Sequence, residues 1–335
     1  MKKENNRVAS LILAAGKSTR MQKPNFAKVC IPVNGVPVII RGLRTYKKIG
    51  VSKHIIIVGH YAESVMRTIA DEAIENVFYA FQNQALGTGH AAKMAVPLLN
   101  ELKDVGAVLV VVGDRVLRPT AIQKLMDVFE SQKADLAFLT GNIKTEPTSG
   151  RIILSDSGEP VANIEKFDSA KSLLLEEYFR LVGDGGSISA QDALHLAKEL
   201  IGPEKKIALA LGGLFDALQS GQELNEALLK RFFSPHDRLI TLPNGDRISG
   251  ETVEQTQQIN LSVYLFKKEA FLYAVQRLSN DNAQKEEYLT DTIGILAATG
   301  EHKLAAIPVA HEDTMAFNTP KELEQLEKTW QEENI

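Results

Sequence analysis

Apolar runs alternate with stretches of helical period through the first half of this 335-residue chain, and no other feature restricts its fold as much. Strand-like runs at Val8–Leu13, His54–Gly59, Val77–Gln82, Ala107–Val112 and Leu136–Leu139 are separated by helical patterns. These patterns lie near Val38–Lys48, Ala62–Ile74, His90–Leu99 and Pro119–Phe129. Repeated β-α-β units of this kind predict an α/β protein with a mixed, mainly parallel sheet, flanked by helices and joined by right-handed crossovers.

From Arg151 the rhythm changes. Arg151–Leu154 and Val161–Glu165 flank Asp156-Ser157-Gly158, which predicts a hairpin. A strand returns at Ile259–Phe266, followed by helices near Lys268–Leu278 and Tyr288–Thr299. Then come a strand at Lys303–Val309 and a last helix from Pro320, a residue suited to a first helical turn. Residues 168–257 fit neither rhythm. Helix formers dominate Leu173–Leu181, Ala190–Ile201, Ile207–Leu218 and Leu224–Phe233, with polar or Gly/Pro-containing breaks between them. A mostly helical insertion subdomain is expected there, with residues 1–167 and 258–335 forming the principal domain.

The first strand empties into a loop of distinctive composition: residues 10–21 read SLILAAGKSTRM. Gly16-Lys17-Ser18 imitates the end of a phosphate-binding P-loop, but that loop needs a further glycine where Leu11 stands. What remains is a small-residue loop carrying Lys17 and Arg20 at the carboxyl end of a strand, where α/β sheets place ligands. The net charge of −4 argues against nucleic acid or an anionic membrane as partner. Yet residues 1–30 hold seven Lys or Arg against one acid, Glu4. A locally positive segment in a mildly acidic chain suits a small polyanion.

Other chemistries find little support. GTGHAA, Gly87 to Ala92, formally satisfies a dinucleotide-binding pattern, but the polar spacer Gln82 to Leu86 stands where a tight turn is required. None of the seven histidines has the spacing of a zinc site, no G-x-S-x-G elbow is present, and Cys30 is the only cysteine. The lone cysteine, a 44% hydrophobic and 24% charged composition, and the lack of a membrane-length apolar run predict a soluble cytoplasmic protein. Asp114, just past the strand Ala107–Val112, is placed to bind a hard cation in a phosphate site or, as readily, to cap a helix.

Five stretches, in order, resemble one family: LILAAGKSTRM with AKVCIPVNGVPVI, then QNQALGTGHA, GDRVL, NIEKFD and NAQKEEYLTD. They are similar to the uridylyltransferase domain of bifunctional N-acetylglucosamine-1-phosphate uridylyltransferase, over residues 7–167 and 258–330. The opening motif marks only the wider sugar nucleotidyltransferase superfamily, whereas QNQALGTGHA and NAQKEEYLTD are much more particular. The resemblance implies the Rossmann-like fold of nucleotide-diphospho-sugar transferases. It also implies roles. Leu13, Ala14, Ala15 and Gly16 would wrap the base and ribose, and Lys17 and Arg20 would face the triphosphate. Lys28 would touch phosphates nearer the reacting centre, so Arg20 and Lys28 are the catalytic candidates. Gln82, Gly87 and Thr88 would read the uracil edge and ribose, Asp114 and Asn318 would hold Mg²⁺, and Gly150, Glu165 and Asn260 would contact the amino sugar.

Those residue types fit the chemistry. A sugar 1-phosphate already has nucleophilic oxygens, so the obstacle is bringing two polyanions together, which cations and Mg²⁺ offset during in-line attack on the α-phosphorus. The expected reaction joins UTP and N-acetylglucosamine 1-phosphate, or a close relative, into a UDP-sugar with release of pyrophosphate. The partners are then small molecules, and a homo-oligomer is compatible with the sequence. The alternatives are another sugar phosphate or base, or a regulatory protein that binds a nucleotide sugar without turnover. Some departures from the family pattern touch the acceptor. Ser149 precedes Gly150 where an aromatic residue is frequent, and Leu261-Ser262 replaces the usual Thr-Gly after Asn260. Arg115 and Arg118 add charge beside Asp114 where small or apolar residues are expected. The hexapeptide repeats of the acetyltransferase half are absent, so that second activity is not expected. The insertion joins segments with proposed sugar contacts, which predicts a lid or an oligomer contact beside the acceptor.

Overall fold

The computed structural model describes residues 7–16 and 26–330. Its large sheet is built from nine strands, β1 (Val8–Leu13), β2 (Lys53–Val58), β3 (Val77–Phe81), β4 (Ala107–Val112), β5 (Leu136–Asn142), β6 (Arg151–Leu154), β7 (Pro160–Ile164), β8 (Gln258–Lys267) and β9 (Leu304–Pro308). Parallel pairing joins β1 to β2 and β4, β2 to β3, and β5 to β9. β8 runs antiparallel between β4 and β5, which gives the order β3-β2-β1-β4-β8-β5-β9. The β6-β7 hairpin attaches to the start of β8 at Arg151 and Ile259. The mixed, mainly parallel sheet flanked by helices is thus as expected.

Successive residues of each central strand feed opposite cores. Ile12, Ile56, Leu109 and Val111 meet the apolar faces of the helices Val38–Lys48 and Pro119–Gln132. Leu11, Ile55, Val108 and Val110 meet the helices Lys268–Val275 and Asp291–Ala297 on the other face. Burial on both faces is why these strands read as apolar runs rather than as alternating ones. Their carboxyl ends lie together. Gly113 N donates to Leu13 O at 2.9 Å, and Gln82 N to Val58 O at 2.8 Å. A Cβ on Gly113 would stand 2.7 Å from Val29 Cγ1 and 3.0 Å from Leu13 O, so that strand end has no room for a side chain.

Several helices differ from the periodicity. The pattern over His90–Leu99 forms two helices, Thr88–Lys93 and Val96–Glu101, because Pro97 suits a first turn and cannot donate inside a longer one. The pattern over Ile207–Leu218 divides into Glu204–Leu211 and Gly213–Gln219 at Gly212, which has φ +53°. The helix from Ala62 stops at Ala70, ahead of a left-handed Ala73. A small hairpin, Leu239–Thr241 with Arg247–Ser249, lies within the segment read as mostly helical. The helix Lys166–Val182 opens that segment two residues before the expected boundary. With its neighbours it buries Leu174, Leu175, Tyr178, Leu214 and Leu229 in a third core, to which Ala283 also belongs. Among the described residues no helix is long and apolar enough to cross a membrane.

Candidate active site

Lys28 lies in the short 3-10 turn Lys28–Cys30 and is only 9% exposed. Its ammonium donates to the Asp114 carboxylate and, at 3.1 Å, to Asn318 Oδ1, and it stands 5.0 Å from the Phe317 ring centre. Register explains the meeting. Arg115–Leu117 pairs antiparallel with Thr314–Ala316, Arg115 opposite Ala316, so the residues just outside the pair come side by side. These are Asp114 on one strand and Phe317-Asn318 on the other. A carboxylate oxygen and a carboxamide oxygen thus converge on one cation, the donor set a hard divalent ion prefers. The two residues fit Mg²⁺ as part of its shell. No group of three or more His, Cys, Asp or Glu able to hold a metal occurs among the described residues. Substrate phosphates and water would therefore supply the remaining ligands.

Arg115 and Arg118 turn away from this cluster. Arg115 makes two 3.0 Å hydrogen bonds to Glu146 and one of 3.2 Å to Thr314 Oγ1. Burial alone would raise the Glu146 carboxyl, but the guanidinium outweighs it and holds the group below the ordinary carboxylate range. Arg118 donates to Glu312 O at 3.0 Å and covers the Trp330 ring.

A second group forms at the end of β3. Gln82 Nε2 donates to Gly87 O at 3.1 Å and contacts His90 Nδ1 at the same distance. Gly87 has φ +110°, and a Cβ there would stand 2.3 Å from Glu287 O. That closeness belongs to a backbone clasp: Glu287 N donates to Leu86 O, and Gly89 N to Glu287 O, each at 2.8 Å. Thr88 Oγ1 accepts from Leu289 N at 3.1 Å. The segments Gln82–His90 and Asn282–Asp291 are therefore one structural unit. Leu13, Ala14, Ala15 and Gly16 lie at the neighbouring end of β1, where Ala14 N donates to Ile57 O at 2.9 Å. Lys17 and Arg20 lie outside the described residues.

The third group joins Gly150, Glu165 and Asn260. Asn260 N donates to Gly150 O at 2.9 Å. A Cβ on Gly150 would stand 2.6 Å from Asn163 Nδ2, which itself donates to Glu165 Oε1 at 3.0 Å. Thr290 Oγ1 adds a 2.8 Å bond to the same carboxyl oxygen. Burial raises the Glu165 carboxyl above its ordinary value despite those two bonds, and the nearby Asp168 adds to the rise. Asn260 is only 3% exposed, and its side chain is engaged locally: Nδ2 donates to Tyr264 OH at 2.9 Å, and Oδ1 accepts from Ser262 N at 2.8 Å. Asn163, Phe317 and Glu287 were not singled out in the sequence. Asn163 carried a signal, since it stands two residues before Glu165 and so shares its strand face.

Residues 10–187 match the MobA-like NTP transferase domain family. The chain is 28% identical over 320 residues to the Bifunctional protein GlmU of Exiguobacterium sibiricum, covering 95% of this chain and 52% of that protein. The GlmU of Bacillus subtilis is 27% identical over 325 residues, 96% of this chain and 52% of its own length. That of Geobacter metallireducens is 33% identical over 163 residues, 48% and 33% of the two chains. The chain spans about half the length of the first two curated relatives it matches. A solved structure named as a glucose-1-phosphate thymidylyltransferase of Bacillus anthracis, in complex with a sucrose, superposes with a TM-score of 0.58 at 13% identity. It covers 98% of this chain and 97% of that one, a likeness of fold.

Proposed function

Because the chain belongs to the MobA-like NTP transferase domain family, we propose that it transfers a uridylyl group from UTP to a sugar 1-phosphate. The acceptor is N-acetylglucosamine 1-phosphate or a close relative, and pyrophosphate is released. The observation that carries this reading is the junction of Lys28, Asp114 and Asn318 at the carboxyl edge of the sheet. A phosphate oxygen of the acceptor attacks the α-phosphorus, the bond to the β-phosphate oxygen breaks, and pyrophosphate takes the electron pair. Lys28 offers its ammonium to the phosphates during that exchange. Asp114 and Asn318 would hold Mg²⁺, which supplies positive charge to the same oxygens. Lys17 and Arg20 extend the cationic surface in this reading, on the strength of the opening motif. The loop from Gln82 to Thr88 reads the base and ribose, and Glu165 accepts hydrogen bonds from the sugar.

Pyrophosphate release tests this reading, with UTP, dTTP, CTP and GTP each offered against several sugar 1-phosphates. We expect UTP to lead and excess chelator to abolish release. A preference for dTTP, the base in the name of the structural neighbour, would move the reading to thymidylyl transfer. Binding of a nucleotide sugar with no release in any pairing would make the chain a sensor.

A further inference from the structure

A cavity of about 680 Å³ opens between the end of β7, the helix from Lys166, the Leu239–Ser249 hairpin and the segment 277–295. Asn163 and Glu165 belong to its wall, so it continues the acceptor side of the proposed site. Its charged groups are unequally satisfied. On one side the cations have partners. Lys285 pairs with Asp281 at 3.6 Å, Arg277 lies 3.6 Å from the Tyr273 ring centre, and Arg247 contacts His236 Nδ1 at 3.1 Å. Lys171 covers the Phe233 ring, with Asp168, Asp237 and Asp281 around it.

On the other side three carboxyl groups converge from two stretches of chain: Glu165, just past β7, and Asp168, in the first turn of the helix it caps, face Asp291 at the start of another helix. Their hydrogen-bond partners are neutral. Glu165 accepts from Asn163 and Thr290, and Asp168 from Ala283 N at 2.8 Å. Lys171 is near Asp168 and Arg151 is near Glu165, yet none of the three carboxyls forms an ion pair among the described residues. Two deeply buried polar atoms of the same wall also lack hydrogen bonds. These are the hydroxyl of Tyr288, a residue 6% exposed, and Oδ1 of Asn163, a residue 4% exposed. Asp168 and Gln284 stand close to that hydroxyl. Such atoms are costly to leave unmade, and what this wall mostly offers is acceptors.

We propose that the acceptor bears an ammonium group seated among Glu165, Asp168 and Asp291, with Asn163 Oδ1 and the Tyr288 hydroxyl as further partners. The acceptor class is then an amino-sugar 1-phosphate with a free amine. This rests on the reading of the chain as a sugar-1-phosphate transferase. An ammonium brings three donors and the charge that the trio lacks, whereas an acetamide brings one donor and adds a carbonyl acceptor to a wall rich in them. Burial, and then the charges of Glu165 and Asp168, push the Asp291 carboxyl up to about 8. A cation placed beside it would relieve that repulsion.

The test is calorimetric titration of the full chain with three sugar 1-phosphates that differ only at position 2: glucosamine, glucose and N-acetylglucosamine 1-phosphate. The amine should bind at least about 10-fold more tightly than either of the others, an advantage that Asp291→Asn and Asp168→Asn each reduce to less than about 3-fold. Equal or weaker binding of the amine, or none, overturns the proposal in the wild-type protein alone. So does an advantage that survives both substitutions in variants that stay folded and melt in one cooperative transition. Pyrophosphate release with UTP is scored separately. An amine preference in binding without release in any pairing defeats uridylyl transfer and leaves the cavity assignment standing. Release with an acetamide preference does the reverse.

Discussion

Lys28 is a buried ammonium whose hydrogen-bond partners are a carboxylate and a carboxamide, and those partners rather than its stem justify burying it. Its substitution should therefore read out in the chemistry. In Lys28→Ala, kcat/KM for UTP should fall by about 10²-fold or more, as expected for a charge that acts mainly while the transition state forms. A loss under about twofold in a folded variant would mark Lys28 as structural. In the sequence Lys28 was one of seven basic residues in the first thirty, and only the AKVCIPV motif distinguished it. Asn260 shows the opposite limit. Its motif offered it as a sugar contact, but the fold engages both ends of its side chain inside its own strand. Two residues on, Ser262 holds φ +55°, the left-handed conformation suited to the glycine usual in the family, at a strain of about 1 kcal/mol.

At the level of elements, the loop after β3 and the segment before the helix Asp291–Ala297 stand or fall together. Their clasp depends on Gly87, where a side chain would meet the Glu287 backbone and the positive φ would strain any other residue. Gly87→Ala should lower stability by roughly 2 kcal/mol or more, and raise the UTP KM more than the sugar-phosphate KM. Thermal melting and steady-state kinetics check both, and an unchanged melting temperature would show that the clasp opens without cost. Both stretches were recognisable one by one. Their contact was not, because nothing in either states which backbone groups the other will satisfy.

Across the whole molecule, the carboxyl trio links stability to pH. Asp291 keeps its proton up to about 8 in the folded protein. An unfolded aspartate loses its proton near pH 4, so between roughly pH 4 and 8 the folded state binds more protons than the unfolded one. Stability conferred by the neutral carboxyl is thus fully present below about pH 4 and is lost as pH rises through about 8. Asp291→Asn, which cannot ionise, should become more stable relative to wild type over that range by on the order of 1–3 kcal/mol. Denaturant titrations across the range check it, and a constant difference would place Asp291 in a solvated setting. We propose that residues 168–257 act as a distinct unit, since their helices supply most of a third core. Ala283 shows where that unit leans on the rest.

Periodicity and motif alone determined the main strands of the large sheet and the family. These are local properties: a strand buried on both faces shows it in a few consecutive residues. Splits such as those at Pro97 and Gly212 were legible as punctuation but were outweighed by the apolar pattern around them. Only the tertiary structure brought Lys28 to Asn318, 290 residues away, and to Asp114 as well. It also clasped Gly87 to Glu287 and brought Asp291 to Glu165 and Asp168 around one cavity. Those meetings depend on strand register and helix packing between distant segments, and register follows from how the whole core closes.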